Sequence, residues 1–256
     1  MNRQDNKERK LEKLFGSSEA GRSETDQEFM DILQGFLFGE VSCVGSLDDH
    51  MRELVTITTL TTIQAFPQLK AHVKAGLNAG CQPVEIRETV YQCAPFIGFP
   101  KTLNAIEVMN EVFRENGIKL PLPDQRTVTE EDRYKKGLEI QAPVYGTEIK
   151  ERYTWLPGDF AEAVPRYLTE ICFGDFSTRE GLDGKTRELL TVIILAAMGG
   201  AEVQVKSHVY GALKVGNTKE EIVCALVQAA GYMGIPRLFN ALNVSRELLD
   251  KDAEEM

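Results

Sequence analysis

Two stretches of the sequence carry the same three chemically active side chains at matching spacing. In the later stretch a carboxylate, Glu188, precedes an amide, Gln204, and an imidazole, His208. Gln204 and His208 are four residues apart, which places them on one face of a helix. A carboxylate beside an imidazole orients its tautomer and raises its pKa, which suits general acid or base catalysis. The earlier stretch holds the equivalent set, Glu53, Gln68 and His72.

These residues also have ordinary structural explanations. A glutamate at the start of a helix favours the helix dipole, and a histidine among apolar residues is commonly a hydrogen-bonded core residue. An arginine directly precedes each glutamate, Arg52 in the first stretch and Arg187 in the second. Because a guanidinium fork matches a carboxylate, both arginines are candidate substrate-binding residues. The alternative for each is a surface ion pair with the adjacent glutamate.

The two stretches belong to an internal duplication. Residues 47–111, the first copy, align with residues 182–247, the second copy, with 24 identities in 65 pairs and one extra residue near Gly200. The offset of about 135 residues is much longer than the unit of a solenoid repeat. We therefore predict two homologous domains with these boundaries: a polar N-terminal arm (1–25), the first domain (26–119), a proline-containing linker (120–127) and the second domain (128–256).

Each copy has the pattern of an all-α protein. The run from Arg187 to Met198 is apolar with charge only at its start, and it lacks the two-residue alternation of a strand. This pattern predicts a buried helix. The segment that ends at Phe15-Gly16 weakly resembles the one that ends at Tyr145-Gly146. Capping residues, glycines and prolines predict the other helices of the second domain at about residues 130–140, 201–215, 218–230 and 236–249.

Composition and charge exclude several functional classes. Lys and Arg total 29 against 39 Asp and Glu, a net charge of −10, which disfavours nucleic acid and anionic membranes as partners. No run of eighteen apolar residues is present, and the polar first ten residues do not resemble a signal peptide. We therefore expect a cytoplasmic protein.

The cysteines and histidines do not predict a metal or redox centre. The closest two of the five cysteines are twelve residues apart, so the chain contains no C-x-x-C and no zinc-type spacing. With only three histidines spread over the sequence, His50, His72 and His208, we do not expect a multi-histidine metal site. We expect the cysteines to be small core residues and the protein to need no metal.

The matched motifs resemble the carboxymuconolactone decarboxylase family. The resemblance is carried by Arg-Glu-Leu before an apolar helix, then His-Val-x-x-Ala-Leu-x-x-Gly, Glu-Glu-Ile, Gln-x-Ala and Gly-x-Pro. It covers about residues 30–115 and 128–250, and the second copy is closest to the gamma-carboxymuconolactone decarboxylases. The resemblance implies a fold of two tandem helical domains of the alkylhydroperoxidase D type. Because single-domain relatives form hexamers, it also implies a homotrimer that rebuilds a pseudo-hexamer.

The family has two chemical branches. The alkylhydroperoxidase D-like branch needs a C-x-x-C shortly before the histidine. Here those positions hold Ala65 and Gln68 in the first copy and Ala201 and Gln204 in the second. Since peroxide reduction through a thiolate needs those sulfurs, hydroperoxide or disulfide reduction is the disfavoured alternative. A further alternative is a non-catalytic binding or scaffold protein.

The other branch decarboxylates a small carboxylated lactone, such as 4-carboxymuconolactone, without a metal or organic cofactor. The resemblance implies that His208 donates the proton, that Glu188 orients it and that Gln204 donates a hydrogen bond to the substrate. In this interpretation we expect Arg187 to supply positive charge for a substrate carboxylate. The corresponding residues of the first copy are His72, Glu53, Gln68 and Arg52, and we expect a different pocket there.

Overall fold

The computed structural model describes residues 2–250, and every regular element in that range is a helix. The first half contains seven α-helices: α1 (Arg3–Phe15), α2 (Gln27–Gly39), α3 (Asp49–Ile63), α4 (Phe66–Asn78), α5 (Pro83–Tyr91), α6 (Ala94–Ile97) and α7 (Phe99–Glu115). A 3₁₀ turn, Val41–Cys43, follows α2. None of the helices in residues 2–250 is both long and apolar enough to cross a membrane.

The second half repeats this order with local differences. Its helices are α8 (Arg133–Tyr145), α9 (Ile149–Arg152), α10 (Phe160–Tyr167), α11 (Gly184–Met198), α12 (Glu202–Lys214), α13 (Lys219–Met233), α14 (Ile235–Val244) and α15 (Arg246–Leu249). A π-helix, Leu168–Ser177, continues α10. The predicted final helix is divided between α14 and α15, because the chain leaves the helical conformation at Ser245.

The N-terminal arm, predicted only as a polar segment, contains α1. Asn2 caps this helix by accepting a hydrogen bond from the backbone N–H of Asp5, and Gly16 ends it in the left-handed conformation. Leu11 and Leu14 are buried against α2. The segment therefore contributes to the packing of the first copy.

The duplication extends back to this first helix. Arg3 of α1 forms an ion pair with Glu40 at the end of α2, and Arg133 of α8 forms the same pair with Asp175 of the π-helix. Each pair has a separation of 2.6 Å. α1 and α8 are thus equivalent elements, as the weak sequence match before Gly16 and Gly146 indicated.

A single core joins the two copies. α3 and α11 begin after equivalent N-caps, Asp48 and Asp183, which accept hydrogen bonds from backbone N–H groups in the first turn. Beyond that turn both helices are almost completely buried, and they pack against each other within one hydrophobic cluster. Part of the buried polar surface of α3 is satisfied within the helix, because the hydroxyls of Thr56, Thr59 and Thr62 donate to carbonyls one turn earlier.

Candidate active site

The N-terminal part of α11 and the middle of α12 bring together the second-copy residues singled out by the sequence. Glu188 is the fifth residue of α11, and the short connection to α12 places His208 beside it. Nδ1 of His208 is 3.0 Å from Oε2 of Glu188, so the expected carboxylate–imidazole contact is present. Gln204 lies one turn before His208 and lines the same cavity.

Tyr145, at the end of α8, completes this group. Its hydroxyl lies 2.6 Å from Oε2 of Glu188 and 2.8 Å from Nδ1 of His208. Burial, followed by the charge of Glu188, raises the pKa of Tyr145 above its ordinary value. The phenol therefore stays protonated and donates to the carboxylate, and the Nδ1–H of His208 donates to the two oxygens.

This arrangement leaves Nε2 of His208 as the ring nitrogen that is free to contact a ligand. Within residues 2–250 that atom has no hydrogen-bond partner, and the side chain lines a cavity of about 230 Å³. A neutral imidazole with its proton on Nδ1 presents a lone pair at Nε2, and an imidazolium presents an N–H donor there. The site can thus accept or donate a proton at one defined atom.

The cavity is built from both copies. α11, α12, α8 and the π-helix form most of it, and α6 with the residues before it closes one side. Aromatic rings supply much of the wall, which suits a flat unsaturated molecule. Its lining includes Gln92, Phe96, Gln141, Tyr145, Cys172, Phe173, Arg187, Glu188, Gln204 and His208.

The equivalent first-copy group is enclosed. Glu53 and His72 are only 2% and 6% exposed, and Nδ1 of His72 is 2.8 Å from Oε2 of Glu53. Nε2 of His72 is 3.3 Å from the hydroxyl of Tyr232 in the second copy. Both ring nitrogens of His72 therefore already have protein partners. Gln68, at the start of α4, is exposed and makes no hydrogen bond within residues 2–250.

An exchange of aromatic residues accounts for the different environments of the two histidines. His72 lies between the rings of Phe15 and Tyr232, at centroid distances of 5.6 and 5.3 Å. His208 lies between the equivalent residues, Tyr145 and Phe96, at 5.2 and 6.1 Å. The phenol is therefore on the Nε2 side in the first copy and on the Nδ1 side in the second.

Leucines occupy the first-copy region that corresponds to the cavity. Leu11 and Leu37 belong to a buried apolar cluster with Phe38. By the alignment, their second-copy counterparts are Gln141 and Cys172, a polar and a smaller residue that line the cavity. The extra apolar volume fills the first-copy site.

Neither arginine forms the surface ion pair that was the alternative interpretation. Arg52 and Arg187 are buried, with 3% and 5% of their surface exposed. Arg52 donates to the backbone carbonyls of Val41, Val44 and Leu47. Arg187 instead lines the second-copy cavity and interacts with Glu88 of the first copy.

The cysteines are free thiols, and one of them lies in the cavity. Cys172 lines the cavity beside the aromatic wall, and burial raises its pKa to about 11. Cys93 is buried elsewhere, and burial raises its pKa to about 12. Both are therefore thiols at neutral pH, which does not favour thiolate chemistry. Residues 2–250 contain no group of three or more His, Cys, Asp and Glu side chains arranged to hold a metal ion.

Several residues of this site were missed by the analysis of motifs. Tyr145 was visible only as the end of the weak match between the segments before Gly16 and Gly146. Gln92 belongs to a Gln-x-Ala motif that is present in both copies. The sequence did not indicate that Gln92, a first-copy residue, lines the cavity of the second copy.

Comparison with known proteins identifies the family of the chain. The sequence model of the carboxymuconolactone decarboxylase family matches residues 27–111 and again residues 162–247. The chain belongs to this family. The two matched ranges contain the two Glu–His pairs, so both copies are family members.

Characterised and uncharacterised relatives each align with about half of the chain or less. A 4-carboxymuconolactone decarboxylase of Acinetobacter baylyi is 28% identical over 121 residues, 47% of this chain and 90% of the relative. A nitrosuccinic acid decarboxylase of Metarhizium robertsii is 29% identical over 117 residues, 46% of this chain and 81% of the relative. An uncharacterised 15.0 kDa protein of Paracoccus denitrificans is 37% identical over 93 residues, 36% of this chain and 69% of the relative.

A solved structure shares the fold over nearly the whole chain. It is that of a putative gamma-carboxymuconolactone decarboxylase subunit from Burkholderia xenovorans LB400. The TM-score is 0.54 at 21% identity, with 96% of this chain and 97% of the other covered. The tandem helical architecture is therefore common to both chains.

Proposed function

We propose that the second-copy cavity is the active site of a decarboxylase that acts on a small carboxylated molecule without a metal or organic cofactor. The observation that carries this proposal is the unblocked Nε2 of His208, which faces the cavity while Glu188 and Tyr145 hold Nδ1. An imidazole whose Nδ1 is fixed by hydrogen bonds and whose Nε2 is accessible to a ligand is suited to the proton transfer that completes a decarboxylation.

The chemistry has two steps. The carbon–carboxylate bond breaks, CO₂ departs, and its bonding electrons pass into an adjacent unsaturated acceptor, where an oxygen takes up the negative charge. The imidazolium of His208 then gives its Nε2 proton to the carbanion equivalent and becomes neutral. Glu188 stabilises the imidazolium before the transfer, and solvent restores the proton afterwards. In this mechanism Gln204, which lines the same cavity, donates a hydrogen bond to the developing oxyanion.

The substrate class follows from the chemistry that the relatives' names describe. A carboxymuconolactone and a nitrosuccinate both have a carboxylate positioned to lose CO₂ into an electron-accepting group, the lactone system or the nitro group. Both also keep a second carboxylate after the reaction. We therefore propose a small dicarboxylate of this kind as the substrate, with 4-carboxymuconolactone as the first compound to test.

The second copy is the working one in this proposal. In the first copy the hydroxyl of Tyr232 contacts Nε2 of His72, and Leu11 and Leu37 fill the space that corresponds to the second-copy cavity. A substrate has no access to His72 without displacing buried apolar side chains, which is unfavourable. The first copy then supports the fold and supplies one side of the second-copy cavity.

The direct test is decarboxylation of 4-carboxymuconolactone, generated in place from its muconate precursor and followed by ultraviolet absorption and NMR. We expect enzyme-dependent loss of CO₂ to the enol-lactone. His208→Ala lowers kcat/KM by roughly 10²–10⁴, the usual size of a general acid–base contribution. His72→Ala serves as the matched variant and leaves the rate within about threefold if its melting curve shows a folded protein.

Three results would count against the proposal. A folded His208→Ala variant within twofold of the wild type would remove His208 from the chemistry. The absence of turnover with 4-carboxymuconolactone and with nitrosuccinate would point to the binding or scaffold alternative. A loss of free thiols on peroxide treatment would instead favour the reductase alternative.

A further inference from the structure

A cluster of buried charge lies beside the second-copy cavity. The carboxylate of Glu88, on α5, is completely buried and is surrounded by three guanidinium groups. Arg179 lies 2.7 Å from it, Arg87 lies 3.1 Å from it, and Arg187 lies 3.4 Å from it. Three positive charges therefore share one buried negative charge. Asp124 and Asp183 also interact electrostatically with these arginines. Both aspartates are exposed, so water weakens their attraction for the arginines.

Two hydrogen-bond donors beside this cluster have no partner. They are Nε of Arg187 and the side-chain Nε2 of Gln92. Both residues line the cavity, and they are 5% and 4% exposed. Oε1 of Gln92 accepts a hydrogen bond from Nη1 of Arg187 at 3.5 Å, so the amide and the guanidinium are neighbours. Buried donors that lack a partner cost free energy, and an anionic ligand would satisfy both.

The first copy satisfies the equivalent atoms internally. Nε of Arg52 donates to the carbonyl of Leu47 at 2.8 Å, and Nε2 of Gln228 donates to Oγ1 of Thr56 at 3.2 Å. Cys224 stands in the alignment where the second site has Glu88, so the charge cluster is also absent there. The unsatisfied donors and the surplus positive charge thus occur at the open site and not at the filled one.

We infer that Arg187 and Gln92 together bind the carboxylate that the substrate retains, which makes the active site a composite of both copies. This inference rests on the proposed decarboxylase function for its substrate class, a dicarboxylate with one activated carboxylate. We assign the retained carboxylate, and not the departing one, to Arg187 for an energetic reason. A guanidinium bound to the departing carboxylate would stabilise the ground state, and this interaction would be lost as neutral CO₂ forms. Gln92, from the first copy, therefore determines specificity for the second carboxylate.

Ligand binding tests the carboxylate site separately from decarboxylation. The probes are 2-furoate and its uncharged isostere 2-furamide, two flat molecules with no group that departs, titrated into the protein and followed by NMR. We expect 2-furoate to bind at least tenfold more tightly than 2-furamide to the wild type. Gln92→Met removes the amide donor at nearly constant volume, and it weakens 2-furoate binding roughly tenfold.

Gln228→Met is the matched control, because it changes the equivalent residue of the filled site. It leaves 2-furoate affinity within twofold of the wild type once a melting curve shows that it is folded. Arg187→Lys is the second test variant, since it keeps the positive charge and removes Nε. It also weakens 2-furoate binding.

With a decarboxylation substrate, Gln92→Met raises KM at least tenfold and changes kcat less than threefold, because the retained carboxylate is bound equally in the ground and transition states. Loss of 2-furoate binding in this variant supports the composite site even if no decarboxylation is found. Equal binding of furoate and furamide overturns it even if decarboxylation is established. Unchanged furoate affinity in folded Gln92→Met and Arg187→Lys variants overturns it in the same way.

Discussion

The position of one phenolic hydroxyl distinguishes the two histidine environments. In the second copy the hydroxyl of Tyr145 binds Glu188 and Nδ1 of His208, which leaves Nε2 open to the cavity. In the first copy the hydroxyl of Tyr232 lies against Nε2 of His72. The same Glu–His pair thus lines an open cavity in one copy and belongs to a buried hydrogen-bond network in the other.

Moving the hydroxyl tests this explanation. Phe96 is the second-copy counterpart of Tyr232, and its ring already lies beside His208. Phe96→Tyr places a phenol on the Nε2 side, so we expect kcat/KM for decarboxylation to fall at least tenfold. Tyr232→Phe is the reciprocal control and leaves the rate unchanged, because the leucines still fill the first-copy site. A Phe96→Tyr variant with wild-type kinetics would show that the phenol position does not matter.

Cys172 provides a measurable test of the cavity's environment. Burial raises its pKa to about 11, so its thiolate fraction at pH 8 is roughly one in a thousand. We expect alkylation of Cys172 by iodoacetamide to be much slower at pH 8 than alkylation of exposed Cys43. Its rate rises about tenfold per pH unit until the pH approaches 11, as measured by mass spectrometry of peptides. Rapid alkylation of Cys172 at pH 8 would contradict the raised pKa.

Sequence alone could predict the residues that lie on consecutive helices, but not those from distant elements. Glu188 and His208 are twenty residues apart on adjoining helices, and the duplication identified both. Tyr145 is 63 residues from His208. Gln92 reaches Arg187 across 95 residues. Such contacts depend on how helices from the two copies pack, and local periodicity contains no information about that packing.

At the level of the elements, close packing of α8 on the π-helix holds Tyr145 in place. A Cβ atom on Gly137 of α8 would lie 2.4 Å from the carbonyl oxygen of Thr169. A Cβ atom on Gly174 would lie 2.5 Å from the carbonyl oxygen of Arg133. Only glycine permits these two backbones to approach so closely. The packing sets the position of the C-terminal end of α8, where Tyr145 meets His208.

Substitution of this glycine tests its role. Gly137→Ala forces α8 away from the π-helix, and we expect it to lower the free energy of unfolding by about 1–3 kcal/mol despite alanine's higher helix propensity. The same shift displaces Tyr145 and lowers kcat. Gly184→Ala is the control, because a Cβ atom there meets no atom within 4 Å. Chemical denaturation measures both variants, and a Gly137→Ala protein as stable as the control would contradict the packing argument.

The core helices could be predicted, whereas the segment before α11 could not. The apolar run that begins at Arg187 predicted a buried helix to Met198, and α11 spans Gly184–Met198. Residues 146–181 lack a clear period, and they form α9, α10 and the π-helix. A π-helix changes the hydrogen-bond spacing without a distinct sequence signature, and it commonly occurs at functional sites. Here it supplies Cys172 and Phe173 to the cavity.

For the whole molecule, the two copies depend on each other for both stability and the site. The central cluster contains Leu54 and Ile57 of α3 together with Leu190 and Ile193 of α11. The first copy also contributes Gln92, which directly follows α5, and residues of α6 to the second-copy cavity. Separation of the copies would therefore expose the core and open the cavity. The intact chain, and not either copy alone, is the protein to use in these experiments.

Large apolar residues are exposed at equivalent positions in both copies. α2 exposes Phe29 and Ile32. The equivalent α10 exposes Val164 and Tyr167. The N-terminal parts of α7 and α14 repeat the pattern with these residues: Phe99 and Leu103, and Ile235 and Phe239. Exposed apolar patches of this kind mark interfaces. Because the same patches occur on both copies, each copy can make the same kind of contact with a neighbouring chain. This arrangement is compatible with a closed ring of several chains.

We therefore expect a homotrimer, in which three chains present six copies. Light scattering at micromolar concentration is expected to give three times the 28.6 kDa mass of one chain. Leu103→Asp combined with Phe239→Asp places charge on both repeated patches and reduces the mass to that of one chain. Trp155→Ala is the control, because Trp155 is exposed outside these patches and its removal leaves the mass unchanged. A single-chain mass for the wild type would rule out the trimer and assign the patches to another partner.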